Sequence, residues 1–133
     1  MKSALIYLVE ESKQQSITLH ELQAIFQQYK QIGAKTGEQL DWNYAAYAFP
    51  YEVDRVSAEK DWFCLRSQQE GYDLIAIGIG SDDKGNFIHV TLFEQSTQGD
   101  HGKAVEICRI LGKALQAEVH LYNDRIMYFY PRK

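Results

Sequence analysis

Two cysteines and two prolines are all that 133 residues contain of either type, and the chain has no block of like charge and no apolar run long enough to cross a bilayer. Each shortage excludes a class of function. Lys and Arg number 14 against 18 Asp and Glu, a formal charge of −4 with the signs interspersed. Such a surface gives no electrostatic footprint for nucleic acid and little pull toward anionic membranes. The N-terminal apolar run ends at Val9, before Glu10 and Glu11, and lacks the length and cleavage site of a signal peptide. Cys64 and Cys108 lie far apart with no CxxC pair, so reduced, packed thiols in a cytoplasmic protein are expected. His20, His89, His101 and His120 show no ligand spacing, so no metal and no cofactor is expected.

What is present begins with Tyr72 to Glu94. After Leu74, the stretch to Gly80 places isoleucine at each odd position and alanine or glycine at the even ones, a period of two that means a strand. Ser81 to Asn86 supplies turn residues, and the chain returns from Phe87 to Phe93. Pairing Gly80 with Phe87 across this tip gathers Ile75, Ile77, Ile79, Ile88, Val90 and Leu92 on one face, the expected core. Ala76, Gly78, Gly80, Phe87, His89, Thr91 and Phe93 fall on the other. A slip of one residue mixes the two sets. The acidic pair Asp82 and Asp83 lacks the spacing of a calcium loop and reads as turn chemistry.

Elsewhere, Ala4 to Val9 is apolar on both alternating sets and reads as a strand inside a sheet, covered on both faces. Thr18 and Glu21 have capping-box spacing ahead of a helix carrying Leu19, Leu22, Phe26 and Tyr29 on one stripe, with Gly33 as its stop. Thr36 to Tyr51, a short helix or an ordered loop, is rich in aromatics: Trp42, Tyr44, Tyr47, Phe49 and Tyr51. Tyr51 to Val56 and Asp61 to Arg66 read as two strands. Asp100 reads as the N-cap of a second helix with Ala104, Ile107, Cys108, Leu111 and Leu115 inward. Glu118 to Tyr122 and Arg125 to Tyr130 close the chain as two strands around Asn123-Asp124. The expectation is one α+β domain over 1–133, a two-layer sandwich of a mainly antiparallel sheet with both helices on one face, in the order β-α-β-β-β-β-α-β-β.

With Thr36-Gly37-Glu38-Gln39-Leu40-Asp41-Trp42, Ala48-Phe49-Pro50-Tyr51 and the closing helix and hairpin in view, the chain resembles a small Bacillus-type family catalogued as domain of unknown function 1885. The resemblance implies a bacterial cytosolic two-layer protein. It transfers no catalytic or ligand-binding residue.

Three uses compete. Trp42, Tyr44, Tyr47 and Phe49, with the sheet residues Phe87, His89 and Phe93, suit a surface that binds a protein or small molecule, since a long aromatic connection must pack on something. Packing within the chain is the plainer alternative for the loop. The same surface suits a homodimer. An enzyme or binder acting on a small anion is the third reading, with His101, Gly102 and Lys103 of Gly99-Asp100-His101-Gly102-Lys103 holding the anion at a helix start and His89 as acid or base. That motif lacks the spacing of a P-loop and sets Asp100 against a phosphate. His89 is the one histidine singled out, because Gly78 opposite leaves room beside it.

Overall fold

The computed structural model describes residues 1–40, 49–54 and 60–130, without the side chains of 32–40. Seven strands form one sheet in the order β2-β3-β4-β5-β1-β6-β7, and every neighbouring pair is antiparallel. They are β1 (Lys2–Tyr7), β2 (Glu52–Val53), β3 (Trp62–Arg66), β4 (Leu74–Asp82), β5 (Gly85–Leu92), β6 (Glu118–His120) and β7 (Ile126–Tyr128). Helix α1 (Leu19–Leu40) follows β1, and α2 (Gln98–Leu115) follows β5. The expected order and fold class are those observed. No described helix is long and apolar enough to cross a membrane.

The central hairpin has the register that alternation demands: Gly80 pairs with Phe87, Gly78 with His89 and Ile77 with Val90. Its tip is tighter than the six residues expected, because pairing continues to Asp82 and Gly85. Asp82 Oδ1 accepts from the Lys84 amide at 2.9 Å, and Gly85 has φ 131°, a conformation that side chains rarely tolerate.

Ile75, Ile77, Ile88, Val90 and Leu92 face the helices together with Ala4, Ile6, Leu22, Phe26, Ile107, Leu111 and Val119. Each large apolar side chain so buried contributes roughly 1.5–3 kcal/mol. Only that face of the sheet carries helices among the described residues. β1 does lie inside the sheet, but Ser3, Leu5 and Tyr7 project to the face that no described helix covers.

Both helices differ from expectation at one end. The Thr18 and Glu21 capping box forms, with the amide of each held by the other's side chain at 3.1 Å. Gly33, however, does not end α1, which runs to Leu40. The N-cap of α2 is Thr97, three residues before Asp100, and Asp100 is the N3 partner of its capping box. Asp100 also ties the helix to the sheet. Fully buried, it accepts the Tyr51 hydroxyl at 2.5 Å and the amides of Asp73 and Leu74. Burial opposes its ionised form, and these hydrogen bonds outweigh burial and hold the carboxyl below the usual range.

Candidate functional site

Directly paired residues of an antiparallel sheet share a face, so the ladder shows what is carried by the face that the described residues leave uncovered. One row runs Trp62, Gly78, His89, Leu5, His120, Ile126 across six strands. The next runs Gly80, Phe87, Tyr7, Glu118, Tyr128, and a third runs Cys64, Ala76, Thr91, Ser3. Small residues on β4 make a depression between large ones on either side. A groove of about 440 Å³ results, with Ala76 beneath it and Trp62, Phe87, Phe93 and Met1 around it.

Its polar edge is a short chain of hydrogen bonds. Ser3 Oγ lies 2.7 Å from Thr91 Oγ1, which lies 2.9 Å from His89 Nδ1. The His89 ring occupies the space that Gly78 leaves: a Cβ there would fall 2.1 Å from Nε2. That nitrogen makes no hydrogen bond to another described residue, and burial pushes the pKa of His89 down, so the ring is neutral near pH 7. A neutral imidazole can donate or accept one hydrogen bond beside an apolar floor.

Toward β6 and β7 the face becomes polar, yet its charges are paired. Glu118, nearly buried, meets Lys84 and lies 2.7 Å from His120 Nε2. Burial raises the pKa of Glu118, and these partners outweigh it and keep the carboxyl low. The Tyr7 hydroxyl donates to Asp82 at 2.7 Å, a bond that with burial lifts the tyrosine to about 12. Beyond this cluster Ile126 and Tyr128 stand out from the edge strand, 41% and 39% exposed.

Of the expected binding residues, the structure gathers Phe87, His89 and Phe93 at one groove. Phe49 is a core side chain on the helix-bearing face, packed against Phe26, Tyr29 and Tyr51, and the groove is built without it. Trp42, Tyr44 and Tyr47 lie outside the described residues. Trp62 was missed by sequence reasoning; its signal was alternation with Cys64, which acquires meaning only when β3 pairs with β4.

His101 and Gly102 are exposed on α2, and Lys103 Nζ pairs with Glu106 at 3.1 Å. The His101 amide donates to the Thr97 carbonyl within the helix, and the Asp100 carboxylate accepts the amide of the N-cap Thr97. Burial pushes the thiols up, Cys108 to about 12. Among the described residues no group of three His, Cys, Asp or Glu could hold a metal ion.

The profile of a family described as "Domain of unknown function (DUF1885)" matches residues 2–131. A crystal structure of a "Protein of Unknown Function from Bacillus stearothermophilus" is 33% identical, with a TM-score of 0.61 over 88% of this chain and 92% of that one. No curated protein matches the chain.

Proposed function

The chain belongs to the family of domain of unknown function 1885, and from its own residues we propose that it is a binding module whose docking surface is the uncovered face of the sheet. One observation carries the reading. The large apolar side chains most exposed among the described residues, Met1 at 84%, Trp62 at 41%, Ile126 and Tyr128, all stand on or beside this face, where a monomer has no reason to collect them. The groove falls within the size range of small-ligand sites, roughly 300–1,000 Å³, and offers apolar walls with a neutral polar edge of Ser3, Thr91 and His89. Uncharged aromatic groups with a single hydroxyl or carbonyl suit it.

The test is a nuclear magnetic resonance screen of small aromatic fragments against the isotope-labelled chain. Hits are expected to shift the amides of Ala76, His89 and Thr91, and Trp62→Ala is expected to abolish those shifts while circular dichroism stays unchanged. Fragments that bind only elsewhere, for instance between Lys30 and Arg66 where a second open depression lies, would count against this face.

A further inference from the structure

The uncovered face pairs a depression at one end with projections at the other, and the two ends are exchanged by a twofold axis through its middle. In the row Trp62, Gly78, His89, Leu5, His120, Ile126 the midpoint lies between β5 and β1. A twofold axis there, parallel to the strands, lays one sheet face on the other and brings β7 of each copy over β3 of its mate. Resting on the reading that this face is the docking surface, we infer that its occupant is a second copy of the chain, with Ile126 and Tyr128 of each copy seated in the groove beside Trp62 of the other.

Three features favour a second copy over an unrelated partner. The first is shape: the groove holds about 440 Å³, room for the two side chains that most exceed their surroundings at the far edge. An isologous contact requires that each patch meet its complement twice, and one groove with one pair of projections does so. The second is charge. A face that carried charge of one sign would repel its own copy. Here Lys84 and His120 are committed to Glu118, and the negative Asp82, held by the Tyr7 hydroxyl, is balanced by Lys60, whose Nζ lies 4.9 Å from the centre of the Trp62 ring, so the face holds both signs although the chain carries −4. The third is size. Six strands at about 4.8 Å spacing and about five residues of length give a plan on the order of 500 Å². Side-chain relief raises the accessible surface toward the roughly 800 Å² per partner of a stable complex. Two sheets stacked this way keep their strands within about 30° and make a second, intermolecular core.

The experiment is sedimentation equilibrium of the full chain over a wide concentration range, with Trp62→Glu and Ile126→Glu, whose exposed positions spare the fold. Wild type is expected at twice the 15.4 kDa chain mass, and each variant is expected to weaken association by about thirtyfold or more, as for an interface hot spot. The double variant W62C/I126C, treated with a short bismaleimide, is expected to give a covalent dimer that W62C alone does not. A wild type that stays monomeric, a dimer indifferent to both glutamates, or crosslinking by W62C alone overturns the inference. The fragment screen separates this failure from failure of the docking face. Ile126→Glu leaves the groove intact and open, so it is expected to bind fragments more tightly than wild type does. A monomeric wild type that binds them equally well overturns the second copy only, and one that binds none overturns both.

Discussion

The hydroxyl of Tyr51 donates to Oδ1 of Asp100 at 2.5 Å, both residues buried. Through that carboxylate the chain segment entering β2, the start of β4 and the first turn of α2 share one anchor, because the amides of Asp73, Leu74 and Thr97 point at it as well. Asp100→Asn keeps the shape and replaces an acceptor by a donor facing other donors. Loss of charge-assisted bonds in a buried setting is expected to cost about 3 kcal/mol, against about 1 to 2 kcal/mol for Tyr51→Phe, which leaves the backbone donors in place. Urea unfolding of the two variants checks the order. Equal costs would mean that the hydroxyl, not the backbone amides, makes up the anchor.

Gly78 is the floor on which His89 lies, and its smallness is a requirement. A methyl group there meets His89 Nε2 at 2.1 Å and the Asp61 carbonyl at 2.9 Å. Gly78→Ala is therefore expected to destabilise by about 1–3 kcal/mol, the range for overpacking. Adding His89→Ala is expected to recover part of the loss, since it removes the nearer obstacle and leaves the carbonyl. The coupling in a double-mutant cycle measures that share. Strict additivity would show that the ring does not rest on Gly78.

Much of this geometry was legible in the sequence, and the exceptions have physical reasons. Isoleucine at every second position of β4 set the hairpin register, and with it the face shared by Gly78 and His89. The Thr18 and Glu21 box declared itself by spacing. Gly33 misled because a glycine inside a helix costs only about 1 kcal/mol, which Ala34, Lys35, Glu38, Gln39 and Leu40 offset with good helix propensity. Thr97 was overlooked because Asp100 is itself a good capping residue, and only the pair reveals which of them starts the helix. Trp62 and Ile126 could not be placed on one face from local pattern. Their relation passes through five strand pairings, and two of these, β5 with β1 and β1 with β6, join strands distant in the chain.

Both thiols are packed, Cys64 on the sheet and Cys108 on the buried stripe of α2. Burial raises each pKa, so little thiolate exists at neutral pH. Reaction with a disulfide reagent is expected to be slow in buffer and complete within minutes in denaturant. A thiol that reacts fast in the native protein would indicate an accessible, activated cysteine and reopen the question of thiol chemistry.

His89 makes stability depend on pH in a direction that can be stated. Burial holds its pKa below the usual 6.5, so the native ring resists a proton that the unfolded chain accepts. Above about pH 6.5 neither state is protonated at this ring and the stability is fully present; as pH falls, the unfolded state gains a proton first and stability declines until the native ring titrates too. His89→Gln keeps a polar partner for Thr91 and removes the titration. The stability difference between wild type and variant is therefore expected to shift against wild type on going from about pH 8 to pH 5, and parallel curves would show that the ring is not shielded. Covering the uncovered face shields His89 further, so association through it must weaken as pH falls through the native ring's own pKa, which lies below that of the unfolded chain. Sedimentation at the two pH values reads that sign directly, and a dimer that tightens in acid would place His89 outside the interface.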